Sequence, residues 1–445
     1  MIRILLLCVF CLFKPLQAQE SSFKIETSRK GHSLSFKLIN NLIVLPLILN
    51  GQELTFLLDT GVNTTLLFDS PDVANIYFKE KNSFKLSGLG QGEAIKAYLT
   101  KGNTLQLGKI IGKNQDVMLV TEDNFAFTKR MGTQIDGILG SSFFKNHLIK
   151  IDYAHKRIRV FKSSIDPIPA KAYRFPLSIY SNKSHIELNL FLRDSLQVSG
   201  TFLIDTGSSD ALWLFDEQEN VEIVTPNFED FLGQGINGAV FGVRGKIKSI
   251  DIGKQKIKGV KVAYPEMLNF KSINLLPGRL GSIGGELLSR FVVYFDYPNS
   301  QIALIPTKKI NDPFYYNMSG IELQYNGVEL IRKKQNNINN IVYDEKGTNQ
   351  GIEFFFREII RYELQDIIEV AEVRPNSPAA VAGVQKGDIL DRVNRRSLQN
   401  LKLHQVTALL QQKPGKKIKL QIRRDGKMLT KTFELKPLFD SSSNL

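Results

Sequence analysis

Cysteine is almost absent from this 445-residue chain. The two present, Cys8 and Cys11, lie inside one N-terminal apolar run. Beyond that run there is no disulfide to staple the fold and no thiol chemistry. A chain of this length buries enough core to need no staple. Residues 4–13 form an uninterrupted apolar run of ten, too short to cross about 30 Å of hydrocarbon. Histidine is scarce: His32, His147, His155, His185 and His404 show no ligand or triad spacing. All five read as surface or structural residues, so no metal site, no cofactor and no histidine-activated nucleophile is expected.

Acidic residues are also in deficit. Lys and Arg number 58 against 44 Asp and Glu, a formal charge of +14. Arg3, the apolar run and Leu16-Gln17-Ala18 read as a secretory signal over residues 1–18, cleaved after Ala18. Removing Arg3 and Lys14, with no acid before Glu20, takes the charge from +14 to +12. Leu7 precedes Cys8 and Phe10 precedes Cys11, and neither is the small residue a lipidated cysteine favours. The protein is therefore expected to be exported, to the periplasm or beyond, with no transmembrane segment. Export and scattered lysines argue against nucleic acid as a partner, whereas a basic exported protein suits acidic polymers or membrane surfaces.

What is present is a duplication. Phe56-Leu57-Leu58-Asp59-Thr60-Gly61-Val62 returns 146 residues later as Phe202-Leu203-Ile204-Asp205-Thr206-Gly207-Ser208. Each is a short apolar run, of the kind that reads as a buried strand, delivering an aspartate into a turn. Residues 138–153 and 282–297 align without a gap, through Ile138-Leu139-Gly140 and Ser282-Ile283-Gly284. Between these points Leu89-Gly90-Gln91-Gly92 is repeated as Leu232-Gly233-Gln234-Gly235. The unit is much longer than a solenoid repeat. Asn50-Gly51 is a two-residue hairpin signal before the first aspartate, and Ser199-Gly200 is expected to replace it before the second. Residues 21–34 read as a polar, extended lead-in. A short helix is expected to open at Ser70-Pro71-Asp72, another over 142–147, and a helix and loop over 215–231. Asp136 reads as a turn residue outside the site, and Trp213 as core.

Two Asp-Thr-Gly turns in duplicated frames, each with a glycine-rich hairpin and an apolar-Gly segment, resemble the aspartic protease superfamily. Asp59-Thr60-Gly61-Val62 resembles the retropepsin variant. Asp205-Thr206-Gly207-Ser208-Ser209 followed by Leu212-Trp213 resembles the pepsin variant. The resemblance spans roughly residues 35–305. It implies a mainly β fold, in which retropepsin-like domains at 35–165 and 166–308 form a pepsin-like pseudo-dimer after a lead-in at 19–34.

It also implies roles. Asp59 and Asp205 would be a catalytic dyad activating a water for peptide hydrolysis, making the chain an aspartic endopeptidase acting on polypeptides. One carboxylate must be ionised and the other protonated, because like charges a few ångström apart cannot both ionise. Thr60 and Thr206 would cross-brace the turns, and Gly61 and Gly207 would present N–H groups to the carboxylates. Ser208 could bond Asp205 where Val62 cannot bond Asp59, which places the shared proton on Asp59. Residues 87–92, with Gly90, Gln91 and Gly92, and the repeated Gly233, Gln234 and Gly235 are candidate flap residues over substrate; the alternative is an ordinary hairpin. A non-catalytic peptide-binding frame is the competing function. A monomer is expected, with a dimer that pairs like units left open.

Residues 309–438 differ in style. Ser377-Pro378-Ala379, Ala382-Gly383, Lys386-Gly387-Asp388 and Asn394 fall in an order that resembles a bacterial PDZ domain, an α+β, partly open barrel. Residues 403–411 would be its second helix. Ser319, Gly320 and Ile321 would be its carboxylate loop, capturing the C-terminus of a substrate or partner by strand addition. The alternative is a docking module for the neighbouring domains. Residues 335–361 are longer than that family needs, and residues 439–445 form a tail.

Overall fold

A computed structural model describes residues 22–439 except 28, 80, 122–124, 163–166, 219, 272 and 338–356. The signal reading of residues 1–18 and the tail from residue 440 fall outside the described residues. Strands dominate, and among the described residues they form four sheets.

The first hairpin forms where Asn50-Gly51 predicts it. The strands Leu42–Leu49 and Gln52–Leu58 pair with Leu49 opposite Gln52. Asn50 and Gly51 both take positive φ, the turn whose twist matches that of the strands. In the second unit the hairpin turns elsewhere. Lys183–Arg193 and Leu196–Ile204 pair with Arg193 opposite Leu196, so the turn is Asp194-Ser195. Ser199 and Gly200 lie within the return strand. Gly200 answers to packing there: a Cβ on it would meet the side chain of Leu280.

The lead-in is paired chain. Ser22–Ile25 adds to the first unit's sheet, and Gly31–Ser35 adds to the Arg157–Phe161 strand. Expected helices are absent or shortened at three more places. Residues after Ser70 make turns without a helix. Residues 142–147 give only a short 3-10 turn, Ser141–Phe143. The expected helix over 215–231 is replaced by turns and by the Asn227–Gly235 strand, paired with Gly238–Ile252.

The units join through a six-stranded sheet. Leu148–Asp152 of the first lies antiparallel to Phe291–Asp296 of the second, with Lys150 opposite Tyr294 at its centre. One apolar core runs through both, from Phe23 to Phe314. Ile310 and Phe314 belong to that core, so the connector after residue 308 stays with the protease-like body. The C-terminal domain has a core of its own, from Met318 to Leu435. Its helix Leu403–Leu410 falls where the second helix is expected, and the strands Lys417–Arg424 and Lys427–Glu434 pair antiparallel. The strands Ile321–Asn337 and Arg357–Val373 pair antiparallel, and residues 338–356 of the long stretch lie outside the described residues.

Candidate active site

Each aspartate leaves a strand that is paired on both sides. The Gln52–Leu58 strand lies parallel to Gly137–Leu139, and the Asp59 N–H donates to Leu139 O at 3.0 Å. In the second unit Leu196–Ile204 lies parallel to Arg279–Ile283, and the Asp205 N–H donates to Ile283 O at 2.9 Å. The closing segments then anchor the turns. Ser141 N–H donates to Val62 O and Gly285 N–H to Ser208 O, both at 2.7 Å.

The two turns meet within one chain. The hydroxyls of Thr60 and Thr206 each accept the other's backbone N–H at 3.0 Å. Each also donates across the interface, Thr60 to Ile204 O and Thr206 to Leu58 O. Gly61 N–H donates to Asp59 Oδ1 at 2.6 Å and Gly207 N–H to Asp205 Oδ1 at 2.9 Å. Glycine is required at both places, because a Cβ on Gly207 would overlap the Asp59 carboxyl and one on Gly61 would press on Asp205.

Asp59 is buried and Asp205 half-buried. Burial raises the affinity of both for a proton, and for Asp59 the charge of Asp205 adds to it. Asp205 is held lower by the Arg279 guanidinium and by the Gly207 N–H. The proton therefore favours Asp59, the expected direction, but not by the expected group. Ser208 makes no side-chain bond to Asp205 among the described residues; its carbonyl holds Gly285 instead. Lys183 also acts on both carboxylates.

A cover spans the site. Ser87, Gly88 and Leu89 face the cleft from the first unit, and Gly233, Gln234, Gly235 and Ile236 from the second. Gly90, Gln91 and Gly92 do not line it. They clasp the other unit: Gly90 N–H donates to Asn269 O, Gly92 N–H to Asn237 O and Gln91 Nε2 to Glu266. Asn237 is the latch. Its side chain accepts from Gly88 N–H and donates to Glu93 O, and its own N–H donates to Leu89 O.

The comparisons with known families bear on two parts of the chain. A family model described as aspartyl protease matches residues 45–143, and a PDZ domain model matches residues 369–424. The chain carries an aspartyl protease domain and a C-terminal PDZ domain. No curated protein matches it. The protease match covers the first unit; the second is tied to it by the duplication and by the joined turns.

The cleft of this protease-like body, about 1220 Å³, continues into the PDZ domain. Its wall runs from Asp59 and Asp205 past Asp230 and Arg244 to Leu323, Thr407 and Lys413. Helix Phe125–Met131 of the first unit packs on the PDZ strand Ile321–Asn337. From that helix Arg130 stacks over Phe231 at 4.3 Å and pairs with Glu372 of the PDZ domain at 3.1 Å. Arg244 bridges Asp210 at 2.8 Å and Asp230 at 3.0 Å. Trp213, expected as core, is buried but donates to Asp210 at the cleft wall. Asp136 is outside the site and buried, with its carboxylate accepting from Thr55 N–H and Gln134.

The N–H groups of Ser319, Gly320 and Ile321, expected to form a carboxylate loop, are taken within the chain. The N–H groups of Ser319 and Gly320 donate to Asn317 Oδ1 at 3.1 and 3.3 Å, and that of Ile321 to Ser319 Oγ at 3.2 Å. Asn317 thus stands where a ligand carboxylate would. Sequence reasoning missed Asn237, Asn317, Lys183 and Arg279. For the last two a signal existed: each is a charge at the place where the first unit has an apolar residue.

Proposed function

We propose that the chain is an exported aspartic endopeptidase working through Asp59 and Asp205. The observation that carries this is the mutual bracing of the two Asp-Thr-Gly turns through Thr60 and Thr206. Asp205, ionised, takes a proton from a water lying between the carboxyls. The resulting hydroxide adds to the scissile carbonyl carbon while protonated Asp59 gives its proton to the carbonyl oxygen. In the tetrahedral intermediate the C–N bond breaks as Asp205 returns its proton to the amide nitrogen and a hydroxyl of the intermediate gives its proton back to Asp59, leaving a carboxyl and an amine. The flap clasp excludes water during these steps.

The PDZ domain extends the same peptide-binding cleft toward the strand and helix that such domains use for ligands. Truncation to test this should begin after Tyr316, since Ile310 and Phe314 are core. A chain ending there is expected to lose rate on folded or long proteins more than on short peptides; equal loss would contradict a recruiting role. Residues 1–18 supply the reading of export.

The test of the dyad is cleavage of an unfolded reporter protein from about pH 3 to 8, the range in which coupled carboxylates titrate. Asp59→Asn and Asp205→Asn run beside the wild type. Loss of activity in both variants supports one shared dyad. An inert wild type with its fold intact would return the frame to peptide binding alone.

A further inference from the structure

The cleft is not symmetric, although the fold is. Strand register sets Val44 opposite Leu57 and His185 opposite Leu203, each two residues before its aspartate. Counting back two more makes Leu42 and Lys183 matched positions. The gap-free alignment of the closing segments, carried three residues upstream, likewise matches Ile135 with Arg279. The first unit therefore presents an apolar wall of Leu42, Leu57, Leu66 and Ile138, with Ile135 buried behind it in the same cluster. The second presents two cations at the corresponding places, and both line the cleft with the dyad.

Neither cation is neutralised by an ion pair among the described residues. Arg279 is only 7% exposed. Its Nε donates to Gly281 O at 2.8 Å and its guanidinium stacks over Phe215 at 5.2 Å. Its two Nη groups have no hydrogen-bond partner among the described residues. Lys183 is half-buried at the start of its strand. A cation taken out of water without a partner is costly. The dyad cannot serve as that partner for both, since its reactive form carries one negative charge against two positive ones. The surplus positive charge faces the cleft. A guanidinium with its Nη pair free is a planar fork that fits a carboxylate.

We propose that Lys183 and Arg279 form a subsite for a substrate carboxylate beside the scissile bond, opposite the apolar wall of the first unit. This rests on the cleft being a peptide-cleaving site. The preferred substrates are polypeptides with an acidic group on one side of the cleaved bond and an apolar residue on the other. The carboxylate belongs to an Asp or Glu side chain or to the substrate's own C-terminus, and the test separates these.

Matched peptides carrying Glu or Gln beside an apolar residue, each with a free or an amidated C-terminus, are given to the chain from residue 19. Rates are read on the wild type. Affinities are read on Asp59→Asn, which keeps the neutral form of that side chain and needs no turnover. Glu peptides are expected to exceed Gln peptides by about tenfold, the size of one charge-assisted hydrogen bond. A ratio that follows the free C-terminus assigns the carboxylate to the chain end.

Lys183→Leu with Arg279→Leu, which copies the first unit's apolar wall, is expected to bring the ratio to about one. Lys183→Glu, at the half-buried position, is expected to bring it below one, favouring Gln over Glu peptides, and guards against a double variant that fails to fold. Equal values for all wild-type peptides, or a preference that survives both variants, would overturn the subsite and leave the cations the sole task of setting the dyad's proton affinity. That lesser role predicts a shifted pH profile with no change in the ratio. If the wild type cleaves nothing, the dyad reading fails, and the affinity ratio still decides the subsite.

Discussion

Thr60 and Thr206 are 146 residues apart and accept each other's backbone N–H through their hydroxyls, both at 3.0 Å. Both side chains are fully buried. The dyad's geometry hangs on this pair, because each threonine also donates to the strand that delivers the opposite aspartate. Replacing either by valine keeps the shape and strands a buried N–H and a carbonyl. The expected loss is about 2–6 kcal/mol of stability, from two unsatisfied buried groups at about 1–3 kcal/mol each. Denaturant unfolding measures it. Serine at the same position should recover most of the loss and the activity with it; a valine variant as stable and active as wild type would contradict the brace.

The raised proton affinity of the dyad also fixes how stability depends on pH. A carboxyl whose folded pKa lies above its unfolded one is stabilising only while protonated. That contribution is complete below the ordinary carboxylate value and is lost as pH rises toward the raised one. For buried Asp59 the slope is about 1.4 kcal/mol per pH unit across that window. Thermal unfolding of the wild type should therefore fall as pH rises from about 4 toward neutrality, more steeply than that of Asp59→Asn. Near pH 7 the asparagine variant should be the more stable of the two. Parallel pH profiles would mean that Asp59 is not held protonated.

Arg279 acts on the same pair with the opposite sign. It favours the ionised form of Asp205, so it lowers both steps of the coupled titration. Arg279→Leu is expected to move the whole bell of activity to higher pH. Rate profiles across the range would show this, and a shift to lower pH would contradict the placement of the guanidinium.

Asn237 ties the two covers together at Gly88, Leu89, Gly92 and Glu93. Asn237→Ala removes the side-chain half of the clasp and leaves its backbone half. Amide exchange at residues 87–93 should rise by about tenfold or more, as expected when a local opening is eased by more than 1 kcal/mol. The core strand Gln52–Leu58 should exchange as before. Unchanged protection of the loop would mean that the backbone contacts alone close it.

What could be read in the sequence was whatever is written as a contiguous string. The two Asp-Thr-Gly turns, the apolar-Gly segments and the Asn50-Gly51 turn are such strings, and the structure brings the two Asp-Thr-Gly turns together. Asn237 is different: it meets Gly88 across 149 positions through loop contacts that no local pattern announces. Within the expected flap at residues 87–92, Ser87, Gly88 and Leu89 face the cleft while Gly90, Gln91 and Gly92 clasp the other unit. Ser199-Gly200 resembles a turn, but its glycine is there to admit Leu280. The strands at Ser22–Ile25 and Gly31–Ser35 are short and mostly polar, and only the strands beside them make them strands.

Asn317 bears on the PDZ domain in the same way. Its Oδ1 takes the N–H groups of Ser319 and Gly320, and its Nδ2 donates to Ile321 O at 2.8 Å. A ligand carboxylate entering this loop must displace an acceptor already paired with two of its donors. Asn317→Ala clears that place and leaves the Ser319 hydroxyl on Ile321 N–H. Full-length Asn317→Ala is expected to bind a peptide with a free C-terminus at least about tenfold more tightly than wild type does, the gain of one to two charge-assisted bonds. The amidated peptide should gain nothing. Asn317→Asp, which sets a carboxylate of the chain's own in the loop, should bind neither. Fluorescence anisotropy with labelled peptides separates the cases. Tight binding of the free C-terminus by wild type, unimproved in Asn317→Ala, would mean that Asn317 yields the loop freely and does not hold it shut.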